Sequence, residues 1–360
     1  MCQENIFNKW SVIEEYRMKF PWANVLLLVL LLVQAITGYF GMVNGRLSRE
    51  WILWAHGIGA YALLVLLNWK GGIILDALRR KTVWTWRRIA FAGMFGLLLV
   101  VIGSGLLWTF NGPIYLGGFS LVSLHIYLAV PLLLLMAWHA WHMRFIWRVP
   151  QTLSRRLFLG TAVSTILGFI GWRAAEWGKA ELALPGAVRR FTGSYETGSF
   201  SGRFPVVSWI NDNPTPVDVA NWQLVLDGAV ERPYTLTYDQ LRQLTDREET
   251  AVVDCTGGWY SEQMWRGVSL ARLLETAELA EGAASVSLIS VTGYQRRFSL
   301  EQAKRYFLAL DVADAPLSHG HGFPLRLVAP DQRGVEWVKW IVRIRVNRTS
   351  KLWQMPLPLQ

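Results

Sequence analysis

Five apolar runs, at residues 22–41, 51–75, 89–110, 119–141 and 157–172, occupy most of the first half of the chain. A membrane span needs about 20 mostly apolar residues, and in lipid only helices and closed barrels satisfy the backbone. Four runs reach that length and the fifth is shorter. Arg79, Arg80, Lys81, Arg87 and Arg88 join the second run to the third; Arg144, Arg148, Arg155 and Arg156 lie between the fourth and fifth; residues 111–118 carry no charge. The positive-inside rule then puts the N-terminus and both basic loops in the cytoplasm, and an odd number of spans puts residues 176–360 outside. The expected setting is a bacterial inner membrane, crossed several times, with the C-terminal half periplasmic.

The remainder of the chain differs in kind. The whole is 52% hydrophobic yet has a net charge of +10, too charged for a purely embedded protein. Residues 195–346 mix scattered Asp, Glu and Arg with short alternating runs. The expected fold is multi-domain: an all-α transmembrane bundle followed by an α+β domain. Residues 1–150 hold four helices, 151–175 a fifth anchoring helix, 176–203 a linker rich in Gly, Ser, Thr and Ala, 204–348 the globular domain and 349–360 a tail. Strands are expected at 222–227, 286–291, 325–329 and 340–346, and short helices at 238–244, 270–278 and 301–307. Membrane lipid is an expected partner and nucleic acid is not.

The fifth run opens with Ser154-Arg155-Arg156-Leu157-Phe158-Leu159. This resembles a twin-arginine export signal followed by a short, weakly hydrophobic stretch. The system it resembles moves folded, cofactor-loaded proteins. An arginine pair anchoring a helix at the cytoplasmic face is the plainer alternative. No cleavage site stands out, so the segment is expected to remain as an anchor.

Four of the six histidines, His56, His125, His139 and His142, fall in the membrane half. An ionisable residue within a span is a functional candidate by default. His56 and His125 each lie about one and a half turns from the outer end of their span and so share one depth. Two facing imidazoles could hold a haem iron. His139 follows His125 by 14 residues and returns to nearly the same face about 21 Å deeper. The pattern, over about residues 15–147, resembles the four-helix cytochrome b of formate dehydrogenases, hydrogenases and thiosulfate reductases. That family carries one ligand histidine on the second helix, two on the fourth 14 apart, and one at the start of the first. The resemblance implies an outer haem b on His56 and His125. An inner haem on His139 lacks its partner, because Arg17-Met18-Lys19-Phe20-Pro21-Trp22 has proline near where the histidine should be. Alternatively, His139 and His142 are interfacial residues beside Trp138 and Trp141.

Only two cysteines occur, Cys2 and Cys255. In an exported domain Cys255 therefore has no local disulfide partner and is either inert core or a ligand. Its setting, Val252-Val253-Asp254-Cys255-Thr256-Gly257-Gly258-Trp259, favours a ligand approached closely by something bulky. Several blocks follow in order: Trp265-x-Gly267-Val268-x-Leu270, Gly293-Tyr294, His321-Gly322-x-Pro324-x-Arg326 and Val338-Lys339-Trp340, preceded by Trp222-x-Leu-x-Leu-x-Gly228. Over about residues 204–347 the chain resembles the oxidoreductase molybdopterin-binding domain of sulfite oxidases, plant nitrate reductases and the bacterial methionine sulfoxide reductase catalytic subunit. The resemblance implies that Cys255 gives molybdenum its one protein thiolate, a soft donor suited to a metal–sulfur centre. It implies Arg326 and Lys339 at the phosphate and pterin, His321 adding ring hydrogen bonds, Asn211 (or Asn213) at the pterin, and Tyr294 facing the metal's oxygen ligand. His319 is expected in an exposed loop.

Sulfite oxidases keep arginines just after the ligand cysteine and another before the Val-Lys-Trp block. Trp259 and Glu336 stand there instead. Arg296, Arg297 and Arg333 are other possible sources of charge. An aromatic at Trp259 suits a neutral S- or N-oxide and resembles the Cys-x-x-x-Trp of the methionine sulfoxide reductase branch. The resulting expectation is a membrane molybdenum enzyme carrying electrons from quinol through haem b to a molybdenum–molybdopterin centre for oxygen-atom transfer. A periplasmic cytochrome is a further candidate partner. Alternatives are oxidation of sulfite or a related anion with electrons passing to quinone, and a haem conduit whose molybdopterin domain only docks.

Overall fold

The structure is a computed structural model and describes residues 21–79, 85–142, 155–209 and 212–354. Helices α1 (Pro21–Val43), α2 (Trp51–Arg79), α3 (Trp86–Asn111), α4 (Leu121–His142) and α5 (Arg155–Glu181) occupy the five apolar runs. Each is long and apolar enough to cross a membrane. Between α3 and α4 lies a two-strand hairpin, β1 (Tyr115–Leu116) and β2 (Phe119–Ser120). Helix α5 runs nine residues beyond the apolar stretch that predicts it. Its continuation, Arg173-Ala-Ala-Glu-Trp-Gly-Lys-Ala-Glu181, is rich in strong helix formers and needs no apolar run to stay helical.

The chain divides into two compact units: residues 1–37, 54–103 and 127–182, and residues 38–53, 104–126 and 183–360. In the first, α5 packs closely on α2. A Cβ at Gly168 would lie 2.8 Å from the backbone of both Ile58 and Ala62, the close approach that small residues permit in membranes.

The second unit joins the remaining helix ends to two sheets. In chain order it holds β3 (Tyr195–Glu196), β4 (Gln223–Gly228), β5 (Tyr234–Thr237), α6 (Tyr238–Gln243), β6 (Arg247–Asp254), β7 (Trp259–Ser269), α7 (Leu270–Ala277), β8 (Ser285–Ser290), β9 (Gln295–Ser299), α8 (Leu300–Arg305), β10 (Phe307–Val312), β11 (Ala315–Pro316), β12 (Arg326–Val328) and β13 (Ile341–Asn347). One sheet runs β11-β10-β7-β3, with β12 on β10 and β6 on β7; the other runs β5-β4-β13-β8-β9. Helices α6 and α8 start at complete capping boxes, Thr237 with Gln240 and Ser299 with Gln302. Strand β7 buries alternate residues, Trp259, Ser261, Gln263, Trp265 and Gly267.

The boundaries drawn from composition change in two places. The linker is packed rather than free: β3 pairs in parallel with β7, and Phe204 is buried in the domain core. The start of the tail is also docked, with Ser285 donating to Thr349 O at 2.7 Å and Lys351 to Gln302 at 2.8 Å. The helix expected at 301–307 ends at Arg305, and Phe307 begins β10. All six residues of β10 are buried, and a strand without alternation cannot be told from a helix by period.

Candidate functional site

Cys255 sits at the tip of the β6–β7 hairpin. Its N–H donates to Trp259 O at 2.8 Å, and Gly258 N–H donates to Cys255 O at 3.1 Å. Gly258 has φ +88°, a conformation that favours glycine. The thiol is 8% exposed and accepts from Gly257 N–H at 3.3 Å. Burial pushes its pKa up, so a thiolate here needs a bound cation to sustain it.

A buried network holds the tip. Arg333 donates to Cys255 O at 2.8 Å and to Thr192 O at 3.3 Å, and pairs with Asp254 at 3.3 Å. Asp254 also accepts from Thr192 and Ser194, each at 2.7 Å. The sequence offers Arg333 as possible substrate charge; the structure instead uses it to fix the loop.

The thiol opens into a cleft that also contains Phe204, Trp209, Asp212, Trp259, Tyr294, His321, Arg326 and Lys339. Arg326 is 3% exposed. It donates to His321 O at 3.0 Å and lies over the rings of Trp265 and Trp337, 4.9 and 5.5 Å from their centroids. Burial lowers its pKa to about 9. Lys339 donates to Gly320 O at 2.7 Å and to Ser208 at 3.3 Å. Burial, and then Arg326, push it down to about 7. Neither forms an ion pair among the described residues. Asp212 is the carboxylate in the same cleft and raises the Lys339 pKa without pairing directly with it, and the buried Arg326 Nε and Trp259 Nε1 have no hydrogen-bond partner among the described residues. A phosphorylated pterin dithiolene would supply both the anion and acceptors, so these residues fit the group that the sequence implies.

The other expected residues divide. Tyr294 lines the cleft, but its hydroxyl donates to Val335 O at 2.5 Å, and burial raises its pKa. His321 is also there, with both ring nitrogens already engaged by the protein. Nε2 faces Phe204 O at 3.0 Å and Nδ1 faces Ser318 Oγ at 3.0 Å, while the ring stacks on Phe204 with centroids 3.9 Å apart. A nitrogen facing a carbonyl must carry the proton, so Nδ1 accepts from Ser318. His321 thus clips the packed linker to the site. Asn211 lies outside the described residues. Asn213 is exposed, whereas Asp212 is buried in the cleft and accepts from Thr292. His319 is half-buried, not exposed: it contacts Pro214 O at 3.0 Å and packs on Trp340.

Glu336, which stands where sulfite oxidases keep an arginine, is not a free charge. It is buried and ion-paired with Arg296, so it presents no net repulsion to an anion. Arg297 bonds to Ser287 and Thr349 and does not line the cleft. The sequence signal missed most was Phe204 with Asp212; both lie in stretches without periodicity.

Among the described residues no three His, Cys, Asp or Glu converge as a metal cluster; a haem held by two histidines requires none. In the first unit His56 Nδ1 meets Thr37 Oγ1 at 3.1 Å, and Gln34 donates to His56 O at 3.0 Å. In the second, His125 Nδ1 meets Ser104 Oγ at 3.3 Å. A fixed Nδ1 orients each ring. A Cβ at Gly105 would come within 3.2 Å of the His125 ring. His139 packs against Phe91 with centroids 5.7 Å apart; the first-helix stretch that would partner it lies outside the described residues through Phe20.

Residues 212–353 match the family model described as the oxidoreductase molybdopterin binding domain. An uncharacterized oxidoreductase, YuiH, of Bacillus subtilis (strain 168) is 29% identical over 150 residues, 41% of this chain and 75% of that protein. Nitrate reductase [NADH] 2 of Phaseolus vulgaris is 28% identical over 38% of this chain and 19% of its own length. Sulfite oxidase of Arabidopsis thaliana is 28% identical over 38% of this chain and 45% of its own. The match thus spans under half the length of these plant relatives. Residues 212–353 are thus similar to molybdopterin-binding domains of oxidoreductases, and this similarity supports an oxidoreductase enzyme.

Proposed function

We propose that the chain is a membrane-bound enzyme that passes electrons from quinol through haem b to a molybdenum–molybdopterin centre in the periplasm, where a small neutral S- or N-oxide is reduced. The observation that carries this is the cleft in which the Cys255 thiol shares its lining with Arg326 and Lys339, neither of which has an ion-pair partner among the described residues. When bound, the molybdenum–pterin group supplies a two-electron centre for moving an oxygen atom. Cys255 holds the metal as its protein thiolate. Arg326 and Lys339 anchor the phosphate end. Trp259 and Tyr294 wall the cleft with uncharged rings, and Arg333 holds the hairpin tip in place.

Substrate charge follows from what remains. Arg296 is neutralised by Glu336 and Arg333 by Asp254. With Arg326 and Lys339 given to the phosphate, no cation among the described residues that line the cleft is left to receive a dianion. Transferring an uncompensated charge into such a site is costly. Methionine sulfoxide, dimethyl sulfoxide or trimethylamine N-oxide is therefore expected to turn over with quinol-derived electrons at a kcat/KM at least about tenfold above that for sulfite oxidation, a difference of about 1.4 kcal/mol. Sulfite oxidation with no reductase activity reverses the direction. That second reading draws on the Glu336–Arg296 pair, which removes the repulsion an unpaired carboxylate would exert, and on the similarity to a sulfite oxidase.

The haem is tested separately. His56→Ala or His125→Ala should remove most of the reduced α-band while leaving molybdenum in place. Loss of a separate half of the haem in His139→Ala would mean that an inner haem is bound and that a ligand other than a first-helix histidine serves it.

A further inference from the structure

The hairpin tip that carries Cys255 is seated on the C-terminal end of α3 and the N-terminal end of α4. Trp108, near the end of α3, is 3% exposed and shares a small core with Leu121 and Tyr195. Its indole N–H donates to Gly193 O at 2.8 Å, and its own carbonyl accepts from the Tyr195 hydroxyl at 2.8 Å. A Cβ at Gly258 would lie 2.3 Å from the Trp108 ring and 2.7 Å from Val122. Glycine there lets both helices touch the backbone of the loop. One at neighbouring Gly257 would lie 3.4 Å from Cys255 Sγ and 3.9 Å from Ser123 Oγ.

The same helix ends carry His125. It follows Val122 by three residues, about 4.5 Å along the axis. Its Nδ1 meets Ser104, four residues before Trp108 on α3. From His125 to Cys255 the path is thus covalent along one turn of α4, crosses one van der Waals contact, and is covalent again through the loop. A second path runs through Ser104 and Trp108. Electron tunnelling decays far more steeply across gaps than through bonds, so a dry path with a single contact is a competent one.

We propose that Trp108 and Val122, packed on Gly258, form the junction through which electrons leave the membrane helices for the centre at Cys255. This rests on the reading above that His125 holds a haem. Two single-electron passages, each leaving ferrous haem ferric, deliver the two electrons that an oxide R₂S=O needs, with two protons, to become R₂S and water. A hydroquinone supplies both electrons and both protons.

The test uses full-length protein carrying both cofactors. Haem is reduced by a flash-activated flavin, and its reoxidation is followed at the α-band alongside the Mo(V) signal. Trp108→Leu leaves a void at the contact and should slow haem reoxidation by about tenfold or more, with haem and molybdenum contents and the haem midpoint potential retained. Trp108→Phe, which keeps a ring there, should recover most of the rate. Val122→Ala provides an independent variant and should slow transfer severalfold. An unchanged rate in Trp108→Leu or in Val122→Ala, with both cofactors present, overturns the junction alone. Absence of haem from the unaltered protein overturns the haem reading and the junction with it.

Discussion

Cys255→Ser is expected to abolish turnover, lowering it by about 10³-fold or more, equivalent to about 4 kcal/mol of transition-state stabilisation, and to eliminate the native Mo(V) signal while the haem spectrum persists. The replacement is nearly isosteric. A hydroxyl at the hairpin tip can still accept from Gly257 N–H, and Arg333 still holds the loop through the backbone carbonyl. Folding is therefore preserved and the defect is one of ligation. A hard, protonated alcohol is a poor substitute for a soft thiolate at a metal–sulfur centre. An active serine variant with an unchanged signal would remove Cys255 from the metal.

Lys339→Met is expected to empty the site and yet stabilise the empty protein. Lys339 titrates near 10.5 when unfolded and at about 7 in the folded cleft. Between those values the unfolded chain binds more protons, so the stability of the cofactor-free protein rises with pH from about 7 towards 10. A bound phosphate reverses the preference by favouring the cation, and cofactor binding near pH 8 should take up protons. Thermal denaturation of protein from cells unable to make the pterin should show the rise. The methionine variant should flatten it and melt a few degrees higher at pH 7, while retaining little pterin when the cofactor is available. A variant that keeps full pterin content, or melts lower, would place the phosphate elsewhere.

The helices were legible because a span is a local property: length and apolarity decide it without reference to any partner. Cys255, Tyr294, Arg326 and Lys339 were legible through ordered blocks, and the structure brings all four into one cleft. His321 reached the cleft too, but its role did not follow from its position. Whether its nitrogens face a pterin or Phe204 O depends on where a linker residue 117 positions away comes to rest. The packing of the linker was not legible, because Gly and Ser content carries no record of the contacts by which Tyr195, within it, and Phe204, just after it, are anchored to β7 and the core.

By itself the sequence determined five helices long and apolar enough to cross a membrane and a C-terminal domain built around one thiol. Period, run length and residue chemistry are written locally, and each of these follows from them. Only the tertiary structure decided which charges count. Glu336 is cancelled by Arg296, 40 residues earlier, and Arg333 by Asp254, 79 residues earlier, while Arg326 and Lys339 share a cleft without an ion-pair partner among the described residues. It also decided that Gly258 meets Trp108, 150 residues before it. Neutralisation and contact depend on which distant segments fold together, and a charge read along the chain carries no record of the partner that will bury beside it.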